Sequence, residues 1–420
     1  MTMQPVASSL HPIDAALADN AHALERAAPA VLKDLRAAVA ALLDAGGWRD
    51  GTSAELSRSL GLDRSLAWKV WTLGGEAGAL PSPQHVPGRA GVAKFLDAAE
   101  KAGAPADVIA QARDTFARYR ELALQHAGDR ASADILLGTL TPEGRERQDL
   151  SLRRGLFRGN SHVLGVQAAL LYHCAAVFPG REGFFASVAL VRGYFGLKTM
   201  RPGVSWVLGR STLVQSTGPR LAPRRDTFDG DALDDNAPPL LPEFCRPTGV
   251  QVRRRVVEGR TAQDELEPRP IGREGAVDVV TGEVIRDIPI DRGPRDAVTM
   301  AVRVPAESLC FDVLLHRDAV APDEATINCY SLVNNEFPFR DQSGIDEIPI
   351  AETLIEFGSP TDLRDLAGVA EHDALLARLI SATGCRERDF RAVRFRMRFP
   401  PLPICIAIHY GARERPVVET

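Results

Sequence analysis

The sequence predicts an α+β fold, with a helical N-terminal part and a β-rich C-terminal part. Alanine- and leucine-rich stretches of helical length fill the first part of the chain, whereas short apolar runs of strand length follow Val250. Of the 420 residues, 45% are hydrophobic and 25% are charged, which is the composition of a folded globular protein. This length allows about two to four domains with sizeable cores.

The first predicted domain covers residues 1–135 and consists of helices. Gly46 and Gly47 end its first helix, because glycine commonly terminates helices. Pro29 lies within that segment and is expected either to start a helix or to break one, because its ring clashes with the preceding turn. The predicted helices cover residues 23–43, 53–60, 64–73, 91–103 and 105–126.

The middle of the chain, residues 136–225, is predicted to be basic and mainly helical. Its apolar runs at 163–177 and 184–195 are interpreted as buried helices, and residues 204–213 as a strand. Proline and aspartate are frequent over residues 226–248, and structureless connections of this length usually have a function or act as linkers. We therefore interpret 226–248 as a linker or an arm.

Residues 249–420 are predicted to form a β-rich domain with one packed helix, over 362–382. The clearest alternation runs through residues 393–399, where apolar and basic side chains fall on opposite faces of a strand. The predicted strands cover residues 250–257, 276–284, 297–304, 309–316, 326–333, 392–399 and 404–410.

The most specific motif of the chain is the stretch 52–70, in which two short helices flank a glycine. Gly61 can adopt the positive φ that a tight turn between helices requires. Asp63 is expected to cap the second helix and Ser53 the first, because short polar side chains accept hydrogen bonds from free amides there. With its buried leucines at helical spacing, this stretch resembles the helix-turn-helix of bacterial transcription regulators.

The resemblance implies that the second helix of the motif reads double-stranded DNA in the major groove. The candidate DNA-binding residues of the motif are Arg58, Arg64, Ser65, Trp68 and Lys69. If the protein is a homodimer, it would bind a two-fold site whose half-sites lie one helical turn apart. The bulky Leu66 and Trp68 favour an alternative, in which this face contacts another protein.

The net charge of −5 conceals an uneven distribution along the chain. Residues 1–150 sum to −3, residues 151–225 to +10 and the remainder to −12. Arg153, Arg154 and Arg158 open the basic segment and are candidate contacts to DNA phosphates, which would make binding sensitive to salt. The near-complementary sums also allow the opposite interpretation, in which the basic segment pairs with the acidic remainder.

Other classes of site have little support in the sequence. The chain has no Gly-x-Ser-x-Gly elbow, phosphate-binding loop or His-Glu-x-x-His motif, so no catalytic residue, metal site or cofactor is predicted. Its six cysteines are widely spaced, which favours reduced, mostly buried thiols. No apolar stretch is long enough to span a membrane and the first residues do not form a signal-peptide pattern, so a cytoplasmic location is expected.

The favoured hypothesis is therefore a bacterial transcription regulator whose C-terminal part supplies dimerisation or the sensing of an unidentified effector. One alternative is an assembly protein that uses the helix-turn-helix face for protein contacts. The other is an enzyme of unknown class, which would need a pocket where polar groups converge.

Overall fold

The computed structural model describes residues 12–75, 83–138, 142–180, 185–212, 224–257, 261–289, 295–334, 344–364 and 366–411. Over these ranges the protein has an α+β fold, with N-terminal helices followed by a β-rich region. The chain divides into two compact units, residues 1–149 and 150–420. No helix in the described ranges is both long and apolar enough to cross a lipid bilayer.

Helices build the N-terminal unit, and the first five overlap the predicted ones, whereas the sixth has no predicted counterpart. They are α1 (Pro12–Ala45), α2 (Ser53–Leu60), α3 (Arg64–Gly75), α4 (Arg89–Lys101), α5 (Ala106–Ala127) and α6 (Arg130–Gly138). Helices α1 and α5 pack along each other. Pro29 lies inside α1, so the expectation that it starts or breaks a helix is wrong. Ala28 and Leu32, on the same stretch of α1, are buried in the unit's core.

Two long strands stand where the sequence predicts helices. After α7 (Pro142–Leu164) come β1 (Val166–Pro179) and β2 (Phe185–Thr199), so the predictions of helices at 163–177 and 184–195 are wrong. Both strands lie in the middle of a sheet with most residues on both faces shielded from solvent. Such strands read as continuous apolar runs without alternation, and periodicity alone does not distinguish them from buried helices.

The remaining elements follow the predicted β-rich pattern, although the sheets begin well before residue 249. The strands are β3 (Trp206–Thr212), β4 (Arg224–Asp226), β5 (Val252–Val257), β6 (Thr261–Leu266), β7 (Val277–Pro289), β8 (Arg295–Val302), β9 (Ala306–His316), β10 (Thr326–Ser331), β11 (Glu347–Ile348), β12 (Ile355–Phe357), β13 (Phe390–Arg398) and β14 (Ile404–Gly411). The predicted packed helix is α8 (His372–Thr383), which begins ten residues later than expected, after a short 3-10 turn at Pro360–Leu363.

The strands form three sheets around one core. A seven-stranded sheet has the order β12-β13-β9-β1-β2-β7-β4. Among its described strands, β1 and β9 pair in parallel and the other neighbours pair antiparallel. A four-stranded sheet has the order β11-β10-β14-β8, and a three-stranded sheet the order β3-β6-β5. Helix α8 packs on β1, β2 and β7, and buried apolar side chains from all three sheets join the same core.

The stretch 226–248 covers the seven-stranded sheet instead of forming a free linker. Phe228 and Leu241 are buried in the core, and backbone hydrogen bonds pair this stretch with β7. Gly282 on β7 makes room for it, because a Cβ there would lie 2.8 Å from Leu241 Cδ1 and 2.9 Å from Phe228 Cζ. The prolines and aspartates therefore mark an irregular segment that is anchored by its aromatic and aliphatic side chains.

Candidate nucleic-acid interface

Helix α2 begins with a reciprocal pair of hydrogen bonds. The Glu55 amide donates to Thr52 Oγ1 at 3.3 Å, and the Thr52 amide donates to Glu55 Oε2 at 2.7 Å. The bonds from the Thr52 backbone and hydroxyl lower the pKa of Glu55 below its ordinary value. The capping residue is therefore Thr52 and not Ser53, the residue expected from the sequence.

Replacing Thr52 with alanine removes one partner of this capping box. We expect the free energy of unfolding of the protein to fall by about 1 kcal/mol, because the Glu55 amide loses the Thr52 hydroxyl as an acceptor and the Glu55 carboxylate loses that hydroxyl as a donor. Urea unfolding measures this change, and Ser53→Ala is the matched control, with an expected effect below about 0.5 kcal/mol. A larger loss for Ser53→Ala than for Thr52→Ala would contradict the assignment of the cap.

The turn between α2 and α3 has the geometry that its sequence predicts. Gly61 has a φ of 62°, in the left-handed region where glycine is unstrained. The Leu62 amide donates to the Ser57 carbonyl at 3.0 Å, and the Ser57 hydroxyl returns a bond of 2.7 Å to the Leu62 carbonyl. Asp63 caps α3 as expected, because its Oδ1 accepts from the Leu66 amide at 2.8 Å. These bonds fix the direction in which α3 leaves the turn.

Helix α3 separates its side chains into two faces. At roughly 100° per residue, its buried residues fall on one arc, and the predicted DNA-contacting residues fall on the other. The buried arc consists of Leu66, Ala67, Val70, Leu73 and Gly74. The outward arc consists of Arg64, Ser65 and Trp68, which are exposed, and Lys69, which is half-buried. Leu66 is thus a core residue and does not interrupt the outward face.

Two tryptophans on α3 have different roles. Trp71 lies at the edge of the core, and its indole Nε1 donates to the Gly51 carbonyl at 2.9 Å, which ties α3 to the segment before α2. Trp68 is 47% exposed and lies on the outward arc. Its ring meets the His85 ring edge-on, with 5.0 Å between the centroids. The contact with His85 holds Trp68 in one place without removing it from the surface.

The outward arc of α3 is cationic. Arg64 and Lys69 are the charged residues of this helix, and it contains no acidic residue. Arg58 is exposed in the last turn of α2, next to the turn. An exposed helix face with two cations, a hydroxyl and an indole has the donors that bind phosphates and base edges.

The three other predicted DNA contacts belong to the C-terminal unit and lie on α7. Arg153 is bound within the protein, because its Nη1 lies 2.6 Å from Glu352 Oε1 and both side chains are largely shielded. The Arg154 guanidinium stacks on the Phe399 ring at 6.0 Å, and Arg158 is exposed. Three further cations of the basic segment, Arg192, Arg224 and Arg225, also pair with carboxylates beyond residue 225. These four arginines therefore form ion pairs with carboxylates of the acidic segment 226–420, as the second interpretation of the charge distribution predicts.

A buried polar cluster at the centre of the seven-stranded sheet is a feature that the sequence analysis missed. Arg394 Nε and Nη2 donate to the two oxygens of Asp312 at 2.6 and 2.7 Å. The Tyr172 hydroxyl donates to Asp312 Oδ2 at 3.1 Å and lies 3.0 Å from His372 Nε2. Burial alone would raise the pKa of Asp312, but the hydrogen bonds from Arg394 and His372 lower it below its ordinary value.

This cluster joins elements of the fold to one another. Its four residues are each at least 97% shielded from solvent, so they are not open to a substrate. They come from β1, β9, β13 and the first turn of α8.

All six cysteines are unpaired and five are buried, in agreement with the sequence-based prediction. In the described part of the chain, no group of three or more His, Cys, Asp or Glu side chains is arranged to hold a metal ion.

Comparison with known proteins gives little further information. No protein-family model matches the chain, and no curated protein matches it. One solved structure with partial similarity is that of a "putative protease" from Parabacteroides distasonis, at 6% sequence identity and a TM-score of 0.25. The alignment covers 58% of this chain and 40% of that one. At this level of similarity, neither the fold nor the activity of that protein carries over.

Proposed function

We propose that the N-terminal unit binds double-stranded DNA through the outward arc of α3, and that the protein is a cytoplasmic transcription regulator of bacterial type. The observation that carries this proposal is the separation of α3 into a buried apolar arc and a cationic outward arc, next to a tight turn at Gly61. A recognition helix needs this arrangement, because one face must pack while the opposite face enters the major groove.

The side chains of the arc have distinct roles in this proposal. Arg64 at the start of α3 and Lys69 one and a half turns later approach phosphates or guanine edges, and Ser65 donates or accepts beside them. Arg58 contacts the backbone from α2. Trp68 packs against the sugar-phosphate surface or a thymine methyl group with the half of its ring that stays exposed.

Fewer arginines on α7 are proposed to contact DNA phosphates than the sequence-based hypothesis included. Arg153 is engaged by Glu352, so of the three only Arg154 and Arg158 remain as phosphate contacts from the C-terminal unit. The β-rich unit supplies dimerisation or effector sensing in this proposal.

A second candidate function is a protein-protein contact through the same arc. The observation that favours it is the half-exposed Trp68 at the centre of the arc, because tryptophan is enriched at the centres of protein interfaces. In that case Trp68→Ala would change the assembly state or abolish partner binding, and the wild-type protein would not bind duplex DNA at low salt.

Binding of a fluorescent mixed-sequence duplex at several salt concentrations tests the DNA-binding proposal. We expect the double variant Arg64→Ala/Lys69→Ala to bind at least about tenfold more weakly than the wild type. The slope of log affinity against log salt should fall in magnitude by about 0.9 for each phosphate that the variant no longer neutralises.

The matched control is Lys33→Ala/Arg120→Ala, which removes the same charge from exposed positions on α1 and α5. This control should bind DNA as the wild type does, apart from a small change from net charge. Equal weakening in both double variants would assign the effect to net charge and overturn the role of α3.

A further inference from the structure

A second buried polar region lies where the three-stranded sheet meets β2 of the seven-stranded sheet. The Tyr194 hydroxyl on β2 donates to the Leu208 carbonyl on β3, and Leu266 on β6 is buried in the common core. Polar side chains from six strands lie in this region. We call it the polar layer, and it consists of His173, Arg192, Arg225, Arg254, Asp264 and Glu283.

Three ion pairs, centred on two carboxylates, organise the polar layer. Glu283 is nearly fully buried and accepts from Arg192 Nη1 at 2.8 Å and from Arg225 Nε at 2.8 Å. Arg254 is 1% exposed and binds both oxygens of Asp264, at 2.6 and 2.8 Å. Arg192 links the two carboxylate centres, because its charge interacts with Glu283 and with Asp264.

The charges of the polar layer do not cancel. It contains three guanidinium groups and two carboxylates, which leaves one positive charge in a largely buried region. His173 does not change this sum near neutral pH, because burial lowers its pKa to about 3. Arg192 and Arg225 share the single carboxylate of Glu283, so this region has one more cation than its carboxylates neutralise and favours an additional anion.

Several donors in the polar layer also lack acceptors. Nη1 of Arg225 and Nη1 of Arg254 are shielded from solvent and have no hydrogen-bond partner among the described residues. The same is true of Nε1 of Trp206 on β3. Buried polar atoms are paired in more than about 90% of cases, so a group of unpaired donors indicates a missing acceptor.

We propose that the polar layer binds a small oxyanion, a carboxylate or a phosphoryl group, with Arg192 as its principal contact. Arg192 lies at the middle of the network and its side chain is 41% exposed, so a ligand can reach its guanidinium from solvent. A planar guanidinium has five donors in a fixed fork, and Glu283 occupies only part of it. The proposal does not depend on DNA binding by α3.

Titration calorimetry of the full-length protein with inorganic phosphate, and separately with acetate, tests this proposal at constant ionic strength set by sodium chloride. We expect saturable binding of at least one of the two anions, and a rise in the midpoint of thermal unfolding with its concentration. Arg192→Gln should weaken that binding about tenfold or more, since the variant lacks one charged hydrogen-bond donor.

Arg317→Gln is the matched control, because Arg317 is also an arginine beside a buried carboxylate, Asp389, at a different place in the same unit. It should bind the anion as the wild type does. Arg192→Lys keeps the positive charge if Arg192→Gln does not fold, and it should still bind more weakly because lysine has no planar fork of donors.

The proposal is overturned by the absence of saturable binding to the wild type, or by equal affinity in the wild type and whichever Arg192 variant folds. A thermal response that does not saturate and is the same in all variants is a general salt effect and also overturns it.

Discussion

Replacing Asp312 with asparagine is expected to lower the free energy of unfolding by about 3–5 kcal/mol. The substitution keeps the volume of the side chain and removes its charge, which leaves the Arg394 guanidinium buried without a counter-ion. The Tyr172 hydroxyl loses a charged acceptor at the same time. A buried cation that loses its partner is costly because water cannot replace that partner.

Urea unfolding followed by circular dichroism measures this change. The matched control is Asp229→Asn, which breaks the exposed ion pair between Asp229 and Arg378, and surface pairs of this kind contribute less than about 1 kcal/mol. Similar losses in the two variants would show that the buried cluster does not have the cost that its geometry implies.

The second large effect is a loss of stability in acid that depends on His173. Burial, with a smaller contribution from the Arg192 charge, lowers the pKa of His173 to about 3. The unfolded chain therefore takes up this proton first, near the ordinary pKa of about 6.5. Above that pH, the neutral imidazole makes its full contribution to the free energy of unfolding. This contribution is lost as the pH falls towards about 3, at up to about 1.4 kcal/mol per pH unit.

His173→Phe removes the titrating group and keeps a ring that can stack on Phe311, which the imidazole meets with 4.8 Å between centroids. We expect its free energy of unfolding to fall less steeply between pH 6.5 and pH 4.5 than that of the wild type. His162→Phe is the control, because His162 is exposed on α7 and should leave the wild-type slope unchanged. Parallel curves for the wild type and His173→Phe would contradict the burial of a neutral His173.

Local features of the N-terminal unit could be predicted because neighbouring residues determine them. Gly61 and Asp63 act within a few residues of their own positions, so a turn and a cap follow from their chemistry. The sequence predicts the first cap one residue too late, because Thr52 and Ser53 have similar side chains. Only the backbone conformation, extended at Thr52, decides between them.

Features of the β-rich unit depend on contacts between distant residues. Strands β1 and β2 lack alternation because neighbours cover both of their faces, and a single sequence does not show those neighbours. Arg394 and Asp312 are 82 positions apart, and Arg192 and Glu283 are 91 positions apart. Each residue taken alone resembles a surface charge. The register of the strands brings each pair together, and that register is not visible in composition or spacing.

Acetylation of lysines with and without saturating duplex DNA tests the central claim most directly. The chain has only five lysines, Lys33, Lys69, Lys94, Lys101 and Lys198, so mass spectrometry can follow each one. Lys69 lies on the outward arc of α3, whereas Lys33 is exposed on α1. We expect DNA to slow the acetylation of Lys69 severalfold and to leave Lys33 unchanged. Bound DNA that leaves the rate at Lys69 unaltered would contradict recognition through α3.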